Sequence, residues 1–120
     1  MGVPVQTISP NLFRAMESQE EKRFIQKLAR VVREAVPDLA SEPEPDFTAQ
    51  IRLLVEEARS YGLRAEQTIG AYAITAGLLG LNFVDEHPAA KEILTGHETE
   101  FKKADLLEAF TIKLLETLEQ

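Results

Sequence analysis

A chain of 120 residues is long enough for one domain that buries roughly two-thirds of the surface its unfolded form exposes, so it can hold a core unaided. It contains no cysteine, which excludes a disulfide framework, a thiolate zinc site and a cysteine nucleophile. Its net charge of −7 argues against nucleic acid as a partner, because gripping phosphates needs a clustered basic surface.

The opening MGVPVQTISP has neither a basic n-region nor a sustained apolar stretch, so the expected address is the cytoplasm. Charge is segregated along the chain: residues 1–37 sum to +2 and residues 38–120 to −9. Such polarity can steer a partner or a second copy. Residues 1–8 are expected to be a loosely ordered lead-in. Ser9-Pro10 then reads as a helix start, and a short helix over about 10–17 would bury Leu12, Phe13 and Met16.

Ser18 and Glu21 have the spacing of a capping box, in which serine oxygen and glutamate satisfy each other's orphan amides. The helix they open should run from about 19 to 36 and stop at Pro37. Phe24, Leu28, Val31, Val32 and Ala35 fall on one arc and predict its buried stripe. Arg23, Lys27, Arg30 and Arg33 fall opposite, as a solvated face or as a docking surface for an acidic partner.

Ser41-Glu42-Pro43-Glu44-Pro45 reads as an extended connection, with Asp46 capping the next helix. Phe47, Ile51, Leu54, Val55, Ala58 and Tyr61 repeat at helical spacing, and Gly62 supplies the left-handed residue at the helix end. The uncharged stretch IGAYAITAGLLGLNFV lies mostly within a fourth helix over about 65–79. It is shorter than the ~20 apolar residues a membrane span needs and lacks basic or aromatic anchors, so no membrane insertion is expected. A helix apolar on every side is instead one surrounded by other helices. Gly70, Ala73 and Gly77 leave a shallow groove down one side, open to another backbone or to a ligand.

Gly80 should end that helix, leaving Leu81 to Val84 as a loop tucked against the core. His87-Pro88 opens a short helix carrying Ala89, Ala90, Ile93 and Leu94 and stopping at Gly96. A last helix over about 98–118 turns Ala104, Leu107, Phe110, Thr111, Leu114, Leu115 and Leu118 inward. Phe101 and Ile112 fall off that face, either lightly covered by neighbours or seeding contact with another chain. No strand pattern competes. The expected fold is all-α: one compact domain over 1–120, with five to six helices around a buried Ala/Gly-rich central helix.

Catalytic chemistry finds little footing in these residues. Ser9, Ser18, Ser41 and Ser60 all sit at predicted helix boundaries or connections, and no G-x-S-x-G occurs. His87 and His97 stand with Asp85, Glu86, Glu98 and Glu100 around the short helix, but ten residues separate the two histidines. His97-Glu98-Thr99-Glu100 also lacks the second histidine of H-E-x-x-H, so neither metal nor cofactor is expected. The paired carboxylates Glu20-Glu21, Glu56-Glu57 and Asp85-Glu86 are sequence neighbours that splay apart, and no glycine-rich phosphate loop follows a strand. The expectation is a protein that is not an enzyme.

The segment RSYGLRAEQTIGAYAITAGLLGLNFVDEHPAAKEIL, from Arg59 to Leu94, resembles small helical proteins encoded beside type VI secretion effectors and their adaptors in Gram-negative bacteria. The resemblance covers about a third of the chain and is carried by Gly62, Gly80, Phe83 and Pro88, structural positions at helix ends and turns. The alanine- and glycine-rich helix departs from the pattern, where the family has more polar and aromatic residues. The resemblance implies a cytoplasmic adaptor or co-chaperone that binds an effector, its loading protein or another product of the same operon. Arg23, Lys27, Arg30 and Arg33, with Phe101 and Ile112, are the candidate contact residues. The alternatives are an immunity or inhibitor protein whose acidic Asp85, Glu86, Glu98 and Glu100 cover a toxin's basic cleft, and a self-assembling subunit whose partner is a second copy.

Overall fold

Among the residues that the computed structural model describes, 18–39 and 42–119, the regular structure is helical throughout. Six α-helices follow in order: α1 Gln19–Ala35, α2 Glu44–Ser60, α3 Glu66–Leu79, α4 Phe83–Glu86, α5 Pro88–Thr95 and α6 Glu100–Leu118, with a 3-10 turn Pro37–Leu39 after α1. The short helix expected over 10–17 and the lead-in 1–8 lie outside the described residues.

Helix α1 begins as its sequence predicts, with Ser18 Oγ accepting from the Glu21 amide at 3.0 Å. The reciprocal half of the capping box does not form. The Glu21 carboxylate turns away to a bidentate pair with Arg59, at 2.7 and 2.9 Å, because a guanidinium fork satisfies both its oxygens at once. That pair ties the start of α1 to the end of α2, and Arg33 ties the end of α1 to the start of α2. The two helices are therefore antiparallel. Lys27 meets Glu66 and Val36 meets Gly77, so α3 runs parallel to α1.

The buried stripe of α1 is Phe24, Ile25, Leu28, Ala29 and Val32, continued by Val36 at its cap. It lies further round than the predicted arc: Ile25 and Ala29 are inside, whereas Ala35 is exposed and Val31 is 38% exposed. Two packing neighbours, α2 and α3, pull the inward face to the bisector between them. In α2 the predicted stripe is buried from Phe47 to Ala58, with Tyr61 half-covered. Asp46 is not its cap. The helix starts at Glu44, because prolines at 43 and 45 fit a cap and first turn that need no amide hydrogen, and the Pro43 carbonyl already accepts from the Phe47 amide. Gly62 takes the left-handed conformation, φ 86°, as its position required.

Helix α3 lies at the centre, packed against α1, α2, α4 and α6. It buries Thr68, Ile69, Tyr72, Ala73, Thr75 and Ala76, of which the large side chains each contribute about 1.5–3 kcal/mol relative to exposure. Tyr72 also packs its ring against that of Phe83, centroids 5.2 Å apart and tilted by 57°. The expectation that it would be enclosed on every side is corrected, since Gln67 and Leu78 are exposed and Gly70, Ala71 and Ile74 half-buried. Gly77 shows the close packing: a Cβ there would lie 2.9 Å from Val36 Cγ2.

After Gly80, whose φ of 111° ends the helix, Phe83 to Glu86 form the single turn α4 rather than a loop. Phe83 and Val84 are buried as expected, while Leu81 is exposed. Helix α5 follows the first-turn Pro88 and stops at Gly96. In α6, capped by Thr99, Leu107 and Thr111 are buried and Ala104, Phe110, Leu114 and Leu115 half-buried, whereas Leu118, expected to face inward, is exposed. Lys103 is also buried, its ammonium donating to the Tyr61 carbonyl at 3.0 Å beyond the end of α2. A cation is favoured there by the negative end of that helix.

Candidate functional site

The floor of the site is the open side of α3. Gly70, Ala71 and Ile74 present little side-chain bulk, so a trough of about 400 Å³ remains between α1 and α6. Phe24, Leu28 and Val31 form the α1 wall, and Glu108 stands on the α6 wall. A Cβ at Gly70 would meet nothing closer than Leu28 Cδ1 at 3.8 Å, so close helix packing does not explain this glycine. The rim is charged. Lys27 and Glu66 face each other across one end at 3.5 Å, both well exposed, a geometry worth little stability in water.

The structure divides the basic residues expected to share one face. Arg23, Lys27 and Arg30 are exposed, and Lys27 stands at the trough's edge. Arg33 leaves that face. Its guanidinium donates to the Leu39 carbonyl at 3.1 Å and the Glu42 carbonyl at 2.7 Å, and lies 4.3 Å above the Phe47 ring centroid. It holds the connection between α1 and α2, where the carbonyls after a proline-ended helix lack donors of their own. Phe101 and Ile112 are 56% and 51% exposed, off the inward face as their spacing predicted. They sit seven residues before and four after Glu108, which places them on the same stripe of α6 as this wall residue. Lys27 thus lines the trough, whereas Phe101 and Ile112 lie outside its lining.

A second polar arrangement closes the upper end of α3. Ala65 occupies its cap position and has no side chain to cap with. Glu100 Oε1, from the first residue of α6, accepts instead from the amides of Arg64 and Ala65, both at 2.9 Å, and from Thr68 Oγ1 at 2.8 Å. These donors, the Ala65 and Arg64 amides first, hold the Glu100 carboxyl below the usual carboxylate range. Burial raises the Tyr72 phenol well above its ordinary value, reinforced by the Glu57 carboxylate that accepts its proton at 2.9 Å. That pair joins α3 to α2.

The acidic and histidine residues weighed as a metal group are dispersed: Glu100 caps α3, His87 packs edge-on to Phe110 at 5.7 Å, and His97 is exposed. Among the described residues no group of three or more histidine, aspartate or glutamate side chains is placed to hold a metal ion. Among them, too, no helix is long and apolar enough to cross a membrane. The trough itself was legible only in part. The glycines at 70 and 77 marked a small-residue surface, but nothing in their spacing told which would be packed and which left open.

No protein-family model, curated protein or solved structure matches the chain.

Proposed function

We propose that this protein is a non-enzymatic, protein-binding accessory of the cytoplasm, whose trough between α1 and α6 receives an amphipathic helix of a partner protein. The observation that supports this reading is the trough over Gly70, Ala71 and Ile74, with Val31 exposed on its α1 wall. Phe101 and Ile112 are exposed on the stripe of α6 that carries Glu108. A partner helix laid there gains apolar burial along its length, the helix-in-groove mode of recognition. The walls differ in charge, with Arg23, Lys27 and Arg30 on the outer side of α1 and Asp105 and Glu108 on α6. Unlike flanks fix the direction in which a partner helix can lie. The resemblance of Arg59 to Leu94 suggests a type VI secretion effector or its loading protein as that partner.

The test uses a tagged chain co-expressed with the products of its neighbouring genes, the captured partner then being purified and titrated. Gly70→Leu fills the floor and Ile112→Asp charges the exposed stripe of α6 that carries Glu108, each without removing a buried contact. Both should weaken binding at least tenfold without lowering the thermal midpoint of the free protein, and Lys27→Glu should slow association. Unchanged affinity in Gly70→Leu and Ile112→Asp rules out the trough. Unchanged affinity when Arg23, Lys27 and Arg30 are all reversed to glutamate removes the basic flank from the contact.

A further inference from the structure

Where the end of α2 meets α4 lies a second hollow, of about 190 Å³, that shares no lining residue with the trough. Glu57 from the last turn of α2 and Asp85 from α4 line it together with Tyr61, Tyr72 and Asn82. We propose that this hollow is a binding site for a guanidinium group, carried on a small molecule or as an arginine side chain of another protein.

Among the described residues the lining holds two carboxylates and no basic side chain. Lys103, whose ammonium donates to the Tyr61 carbonyl, stands outside it. The Glu57 carboxylate is preorganised. The Tyr72 hydroxyl donates to its Oε1 at 2.9 Å, and the Tyr72 ring packs against Phe83 and against Tyr61, at 6.0 Å between centroids for the latter. Asp85 is set by its backbone, whose amide donates to the Asn82 carbonyl at 3.0 Å, and among the described residues its carboxylate forms no ion pair. Both side chains are exposed, so a ligand can reach them from solvent. They also converge: burial first, then the charges of Asp85 and Glu57, raises the Tyr61 phenol above its ordinary value. Like charges facing one hollow repel, and a cation between them relieves both. Guanidinium suits this lining better than ammonium, because its planar fork donates in several directions at once and its face stacks on aromatic rings. The volume is below the ~300–1,000 Å³ of whole small-molecule sites, so the hollow takes the end of a side chain or of a slender ligand.

The experiment titrates the full chain with ethylguanidinium chloride at constant ionic strength, following backbone amide signals by NMR. Parallel arms use N-ethylurea, which is the uncharged counterpart of that probe, ethylammonium, and a capped glycine-arginine-glycine peptide. Saturable shifts at Tyr61, Asn82 and Asp85 are expected with ethylguanidinium, weaker binding with ethylammonium and none with N-ethylurea. Glu57→Gln keeps an acceptor for the Tyr72 hydroxyl and Asp85→Asn keeps the side chain's shape. Each should weaken ethylguanidinium binding roughly threefold, the loss of one exposed ion pair. Glu56→Gln, next in sequence but outside the lining, should leave it unchanged. Peptide binding as tight as that of ethylguanidinium identifies a protein's arginine as the ligand, and exclusion of the peptide identifies a small molecule. Shifts that stay linear, or that N-ethylurea reproduces, overturn the site, as does a Glu56→Gln loss equal to that of Asp85→Asn. Equal affinity for ethylammonium reduces the site to attraction of any point charge and overturns the guanidinium assignment. None of these outcomes depends on whether the trough between α1 and α6 binds a helix.

Discussion

Gly70 and Gly77 sit two turns apart on one helix and answer to different physics. A Cβ at Gly77 would lie 2.9 Å from Val36 Cγ2, a methyl on a stiff, branched side chain that has nowhere to retreat. Overpacking of this kind costs about 1–3 kcal/mol, more than the ~1 kcal/mol of helix propensity that alanine restores, so Gly77→Ala should lower the denaturant midpoint. At Gly70 the same Cβ meets only Leu28 Cδ1 at 3.8 Å, and Gly70→Ala should raise stability by up to about 1 kcal/mol in the same urea titration. The pair of signs is what matters, because a sequence reading treats both as small residues on one face. Arg33 shows the same limit. Its spacing puts it with Arg23 and Arg30, yet two carbonyls beyond the end of its own helix, unknowable from periodicity, draw it inward.

At the scale of helices, ends set by a helix's own flanking residues were legible and ends set from a distance were not. Ser18, Gly62, Pro88 and Gly96 act locally, and the elements they bound follow the sequence closely. Helix α3 begins with alanine and is capped by Glu100, a residue that belongs to α6. This has a measurable pH signature. The folded Glu100 carboxyl titrates below its unfolded value of about 4.3, so its stabilisation is fully present above that pH and is lost as pH falls through the lower folded value. Glu21, lowered chiefly by its hydrogen bonds with Arg59, acts in the same direction. Comparison with Glu100→Gln separates the two: the thermal midpoint of the parent chain should exceed that of the variant near neutrality and converge toward it in acid. A constant difference down to about pH 3 would mean that the carboxylate charge is not what caps α3.

Across the whole molecule, the all-α fold and the central place of the uncharged helix could be read from composition and period alone, since a helix of Tyr72, Ala73 and Ala76 has nowhere to go but inside. Which side stays open could not, because that depends on where α6 crosses. The amides of Ile69, Tyr72, Ala73 and Ala76 should exchange at rates approaching global unfolding, and those of Leu114 to Leu118 much faster. Fast exchange at Tyr72 and Ala73 would show that the centre opens separately. The Glu100 contact carries a further consequence for biosynthesis. The segment whose carboxylate seats the first turn of α3 is made 35 residues after Ala65, so while that part of the nascent chain is still inside the ribosome tunnel, the central helix lacks its anchor. The part of its surface that α6 covers then waits for that helix to emerge.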